Sequence, residues 1–264
     1  MSKINEESAY EQIGKNTVKA TNQLKESAYV SFENPGGKGI RVLFVGNSIT
    51  RHGIAHDIGW HNDWGMAASS KDKDYVHQLM SKMDSVQKDV AYCICQVASW
   101  ERGYKEGTEK FYGVYRSAHD FKADIIVLRF IENCSFNEWD SEIFKSELEK
   151  LLAYLNPSGD AKTVITTGFW HHCGDEAIRE FAEERGIPLA ELGDLGEMDE
   201  MKAIGLFEHG GVANHPGDLG MKKIAERIWA KIDENETVLV WDDAETKPSD
   251  HAVIVHRYNG DTTE

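Results

Sequence analysis

Two short stretches at opposite ends of the chain carry the side chains from which a nucleophile and its base can be built. Near the start, Val45-Gly46-Asn47-Ser48-Ile49-Thr50 closes an apolar run, setting a serine hydroxyl on a tight turn that the preceding glycine permits. Near the end, Asn214-His215-Pro216-Gly217-Asp218 stands just before a helical pattern. A hydroxyl is a weak nucleophile until a base within hydrogen-bond reach takes its proton, so Ser48 paired with His215 would perform acyl transfer. Alone, each is ordinary: a serine after a strand is commonly a helix cap, and a histidine before a helix is commonly a cap or surface group. A third stretch, Glu132-Asn133-Cys134, adds a side-chain amide able to donate to an oxyanion. A following helix would offer its N-terminal amides to the same charge.

These groups meet only if the elements between them bring both ends of the chain to one edge. Apolar β-rich runs alternate with helical periodicity, the mark of an α/β protein with a parallel sheet covered on both faces. The predicted strands are Ile40 to Val45, Val90 to Val97, Ile125 to Phe130, Thr163 to Thr167 and Ile187 to Ala190. Helical spacing links Tyr75, Val76, Leu79, Met80 and Met83, and again Ile143, Phe144, Leu148, Leu151, Leu152 and Leu155. Shorter stripes run through Ala177, Ile178, Phe181 and Ala182, and through Met221, Ile224, Ala225, Ile228, Trp229 and Ile232. In such a sheet the loops after the strands share the carboxyl edge, where open α/β folds place their sites. One domain is expected over residues 1–264, with a core at about 40–232. Residues 1–39 form an N-terminal extension, read as a helix and a Pro-Gly-Gly turn. Residues 233–264 form a C-terminal β extension, in which Thr237 to Trp241 and Ala252 to His256 suit a hairpin laid on the domain or on a second copy of the chain.

In this order the blocks Gly46-Asn47-Ser48-Ile49, Asn133 and His215-Pro216 resemble those of the SGNH/GDSL hydrolases, in a carbohydrate-esterase-like branch. The resemblance implies a three-layer α/β/α flavodoxin-like fold with a central parallel sheet of about five strands, and ester hydrolysis without metal or cofactor. It assigns Ser48 as nucleophile, His215 as base and then acid, and Asn133 with the Ser48 amide as oxyanion hole. Two departures stand out. The family has an aspartate three residues before the histidine, where this chain has Val212. Where the second block has glycine, this chain has Ala98-Ser99-Trp100-Glu101, which leaves Ser99 as the candidate second donor. Loss of the acid can cost about 10⁴-fold, so a substitute is needed. Glu208 and a backbone carbonyl serving a Ser-His dyad are equal candidates. Glu101 and Glu132 rank below them, because Arg129, at the end of the third strand, can pair with either one as a structural brace.

Tryptophans 60, 64, 100, 139 and 170 each follow a predicted strand. Indole faces suit pyranose rings, so Trp60, Trp64, Trp100, Trp170 and His171 are candidate substrate-binding residues, with at least two of the indoles expected in the core. The expected substrate is an acetylated oligosaccharide or another small ester. A sugar-binding pseudoenzyme of the same fold and a lipase or other carboxylesterase are the alternatives. The segment Arg51 to Asp74 is long for a connection and contains His52, His56 and His61, which with His171, His172 and Cys173 permit a zinc reading. No ligand spacing supports it, and it ranks last. A net charge of −16 argues against nucleic-acid and anionic-membrane partners. The polar start Met1 to Ser8 and four cysteines without zinc spacing, read as buried free thiols, point to a cytoplasmic protein.

Overall fold

The computed structural model describes residues 24–233 and two short strand segments, 238–239 and 254–255. A six-stranded sheet forms the centre. Its first strand, β1 (Val30–Glu33), is an edge strand antiparallel to β3 (Ala91–Gln96). The remaining members, β2 (Arg41–Gly46), β3, β4 (Ile125–Arg129), β5 (Lys162–Thr166) and β6 (Leu189–Ala190), are mutually parallel. The order is β1-β3-β2-β4-β5-β6. Its parallel part has the flavodoxin-like arrangement, in which the chain reverses direction across the sheet beside β2. All five predicted strands are present. The antiparallel strand β1 replaces the end of the expected N-terminal helix; it is short and only Val30 is fully buried, so it carries little periodic signal. The rest of that helix, at 1–23, lies outside the described residues.

Helices cover both faces. One face carries α1 (Tyr75–Val86) and α7 (Asp218–Asp233) over β2 and β4, through Val76, Leu79, Met83, Met221, Ile224 and Ile228. The other carries α2 (Ala98–Gly103), α3 (Arg116–Phe121), α4 (Ser141–Leu155) and α5 (Asp175–Arg185) around Trp100, Phe121, Phe144, Leu148 and Phe181. Each fully buried aliphatic or aromatic side chain contributes roughly 1.5–3 kcal/mol of burial. The helix starts are fixed by side chains: Asp74 accepts from the His77 amide at 2.8 Å and Asp140 from the Ile143 amide at 3.0 Å. The last β6-to-α7 connection holds a four-residue helix, α6 (Gly210–Ala213). Beyond α7, β7 (Val238–Leu239) pairs antiparallel with β8 (Ile254–Val255). These lie inside the two segments expected to form a hairpin; what joins them lies outside the described residues.

Register aligns the ends of three central strands. Gly46 lies opposite both Gln96 and Arg129, so the segments carrying Ser48, Ser99 and Asn133 leave one edge side by side. Cys93 and Cys95 are buried on the helical face shared by α2 and α4. Cys134 is buried too, but Cys173 is exposed, contrary to the reading of all four as buried.

Candidate active site

Ser48 sits on a turn held closed by backbone bonds from Thr50 and Arg51 to the Asn47 carbonyl, at 3.0 and 2.9 Å. The helix that follows, α1, begins at Tyr75, beyond the long connection, too far along the chain for its N-terminal amides to lie on the Ser48 turn. The Ser48 turn therefore offers turn amides, without a helix dipole behind them. The Ser48 amide has no acceptor among the described residues, and its carbonyl accepts from Met66 at 2.9 Å. Gly46 is required for this path: a β-carbon there would lie 1.8 Å from Thr50 Oγ1 and 2.5 Å from the Arg129 carbonyl oxygen.

The Ser48 hydroxyl lies 2.8 Å from His215 Nε2, and His215 Nδ1 lies 2.7 Å from the Gly211 carbonyl oxygen. A carbonyl can only accept, so Nδ1 carries the proton and Nε2 presents a lone pair to the serine hydroxyl. The Gly211 carbonyl is available because the last carbonyls of a helix lack intrahelical partners. It occupies the place offered to Glu208, which is exposed and makes no contact with the imidazole. Val212, at the family's aspartate position, points instead into an apolar cluster with Trp60, Met66, Ala67 and Ala203. The His215 ring is packed edge-on against Trp170, with centroids 5.6 Å apart. Burial pushes its pKa down to about 4, against the opposing pull of the Gly211 carbonyl.

A small joint ties the segments carrying Ser48 and His215 together. Trp60, on the 51–74 connection, is fully buried against Ala203 and Val212, and its indole nitrogen donates to the His52 carbonyl at 3.0 Å. Ser69 donates from its amide and hydroxyl to Asp218, at 2.8 and 2.7 Å, pinning the same connection to the start of α7. The Ala203 amide donates to the His215 carbonyl at 2.9 Å. The long connection thus serves as a strut under the histidine.

Beneath the serine lies a buried polar cluster. Asn47 and Arg129 are both fully buried. Arg129 Nη1 donates to Asn47 Oδ1 at 2.7 Å and Nη2 pairs with Glu132. Glu132 also accepts from the Phe169 amide at 2.8 Å and from Asn47. Burial works against ionisation of Glu132 but is outweighed by Arg129 and these donors, so its carboxyl titrates below the usual range. Glu101, fully buried, accepts from the Ile131 amide at 2.7 Å, Asn47 Nδ2 at 3.1 Å, the Asn133 amide at 3.2 Å and Asn133 Nδ2 at 2.8 Å. Burial, and then the Glu132 charge, push its pKa up. The brace expected at Arg129 is made with Glu132, and reaches Glu101 only through Asn47. Ile131 adopts φ 139°, an outlier for a β-branched residue that costs on the order of 1–3 kcal/mol and persists only where surroundings enforce it.

Asn133 is half-buried and gripped at both ends, its Oδ1 accepting from Arg102 Nη2 at 2.7 Å. Ser99 lies in the first turn of α2, half-buried, with its hydroxyl unpaired among the described residues. The expected substrate platform is only partly realised. Trp100 is fully buried and donates to Thr108 Oγ1 at 2.9 Å, and Trp60 is buried in the strut; neither can face a ligand. Trp139 packs on Phe144 and His172. Trp64 is half-buried with its indole nitrogen spent on the Ala68 carbonyl at 3.0 Å. Trp170 is the candidate that touches the histidine. His171 is exposed, 3.1 Å from Glu197. His172 is buried, bridging the Cys134 carbonyl and the Gly174 amide at 3.0 Å each, so it lines no cleft. His56 and His61 pair with each other at 2.6 Å, and no group of three or more metal-ligating side chains occurs among the described residues. No helix among them is long and apolar enough to cross a membrane.

No family model matches the sequence and no curated protein is similar to it at a significant level. Solved structures do match. A two-domain esterase active on acetylated mannans, crystallised with mannopentaose, aligns with a TM-score of 0.51 at 11% identity, over 74% of this chain and 50% of that one. A lipase/acylhydrolase from Enterococcus faecalis aligns with a TM-score of 0.50 at 15% identity, over 74% and 96% of the two chains. This chain therefore spans about half of the mannan esterase and nearly all of the acylhydrolase. At these identities the likeness shows the fold, which is that of the SGNH/GDSL esterases and acylhydrolases.

Proposed function

We propose that the chain is a serine carboxylic-ester hydrolase of the SGNH type, removing small acyl groups, chiefly O-acetyl, from carbohydrates. The observation that carries this reading is the 2.8 Å approach of Ser48 to an imidazole whose far nitrogen is committed to the Gly211 carbonyl. Ser48 Oγ attacks the ester carbonyl as its proton passes to His215 Nε2. The Ser48 amide, Asn133 Nδ2 and a donor from Ser99 would receive the oxyanion. Collapse expels the alcohol, which takes the proton from His215 and leaves an acyl-serine. Water, deprotonated by the same histidine, then releases the acid and restores Ser48. No step calls on a metal or cofactor.

Support for a sugar ester comes from Trp170, whose half-buried ring stands against the histidine where a pyranose could stack, and from the activity of the structurally similar esterase on acetylated mannans. Four unpaired cysteines, one exposed, suit a reducing compartment such as the cytoplasm, where short oligosaccharides are the accessible substrates. The test is acetate release from acetylated manno- and xylo-oligosaccharides, with fluorophosphonate labelling of Ser48. Wild-type protein is expected to release acetate and to label, and Ser48→Ala to do neither. Binding of the sugars without turnover or labelling would replace this reading with a pseudoenzyme.

A further inference from the structure

Asn133 belongs to the oxyanion pocket on the esterase reading, and its side chain is held by residues outside the Ser48 and His215 segments. A lone asparagine on a loop after a strand has free rotation about two side-chain bonds, and a donor that wanders contributes little to a developing charge. Here both ends of the amide are held. Arg102 Nη2 takes the oxygen at 2.7 Å and Glu101 Oε2 takes one hydrogen of Nδ2 at 2.8 Å. The second Nδ2 hydrogen is left for a ligand. Glu101 Oε1 meanwhile receives the amides of Ile131 and Asn133, and Asn47 Nδ2 from the residue before the nucleophile. One carboxylate, fully buried, thus touches both the turn that carries Ser48 and the turn that carries Asn133. The outlying φ of Ile131 lies between them, where the peptide turns its N–H onto Glu101. All these partners are N–H donors, so a carboxylate is the form that satisfies them.

We propose that Glu101 is the positioning residue of the oxyanion pocket. Its buried carboxylate locks the Asn133 amide and the Ile131 peptide so that the remaining Nδ2 hydrogen meets the carbonyl oxygen of the ester. The inference rests on the esterase reading. It makes a specific demand on Glu101→Gln, which is nearly isosteric. Glutamine can keep an oxygen toward Ile131, but its amide nitrogen then faces Asn133 Nδ2, donor against donor. If Asn133 flips to relieve this, its nitrogen faces Arg102 instead, and the conflict moves without disappearing.

The experiment is a double-mutant cycle on an activated acetyl ester, with kcat and KM measured separately and folding checked by thermal melting. Asn133→Ala is expected to lower kcat by about 10²-fold, the usual loss for one oxyanion donor, with KM nearly unchanged. Glu101→Gln is expected to lower kcat by a similar factor. In the Asn133→Ala background it should lower kcat little further, because the residue it acts through is gone. Arg102→Ala, at an exposed position, provides the same test should Glu101→Gln fail to fold: a several-fold loss in kcat that vanishes when Asn133 is alanine. Losses that multiply in full in either cycle, or that fall on KM, would overturn the proposal while leaving the hydrolase intact. An inert wild-type protein would instead end the esterase reading itself, and this one with it.

Discussion

A histidine that gives up its proton near pH 4 should leave Ser48 with a working base in acid, where an imidazole of ordinary pKa would already be protonated. The protonated imidazole cannot accept the Ser48 proton, so activity is present above the pKa and falls tenfold for each pH unit below it. At pH 5 a base with the pKa of about 4 found for His215 would be about 90% unprotonated, whereas an imidazole at the ordinary 6.5 would be about 3% so. The two cases differ roughly 30-fold in kcat/KM at that pH. Because burial is the largest cause of the depression, and Trp170 packs against the ring, Trp170→Ala should hydrate the imidazole. The acidic limb should then move up by about one unit toward 6.5. The assay is kcat/KM for an activated acetyl ester from pH 3.5 to 8, corrected for spontaneous hydrolysis, with circular dichroism confirming that the protein stays folded. A wild-type acidic limb between 6 and 7 would refute the reasoning, and an unmoved limb in Trp170→Ala would refute the role given to that ring.

Restoring the family's aspartate by Val212→Asp should not raise activity. Val212 is fully buried among Trp60, Met66 and Ala203, and a carboxylate there would cost about 3 kcal/mol or more of stability; a faster enzyme of unchanged urea midpoint would contradict this. Trp60→Ala should cost about 3–5 kcal/mol, as truncation of a fully buried indole does. It should also reduce kcat in protein that remains folded, since the strut joining the two catalytic segments is loosened; full activity per folded molecule would argue against the strut.

What could be read without coordinates follows from how local each signal is. Four of the parallel strands are apolar runs of five or six residues, long enough to read, and with them comes the expectation that Ser48 and His215 share an edge; the two-residue β6 is legible only through the longer apolar stretch Ile187 to Ala190. Strand β1 has four residues and one fully buried side chain, too little for a period to register. Of the five indoles that follow predicted strands at least two are expected in the core, and Trp60 and Trp100 are such residues; a residue just past a strand can turn inward as readily as outward, and sequence does not record which. Arg129 at the end of its strand has two carboxylates within reach in the sequence reading, and of these it takes Glu132. Glu101 lacked such a signal, since its partners are amides drawn from two turns far apart in the chain. The group that orients His215 was among the alternatives but could not be chosen, because a carbonyl belongs to every residue.

That last feature alters what mutation can do to the site. An orienting aspartate is one codon away from loss, and each replacement strikes the function directly. The acceptor at Gly211 is carried by whatever amino acid stands there, so its vulnerability shifts to the path of the main chain. Heredity must guard the shape of the Gly210–Ala213 turn rather than a single letter. Descendants could vary residue 211 wherever a side chain fits and still inherit a working base.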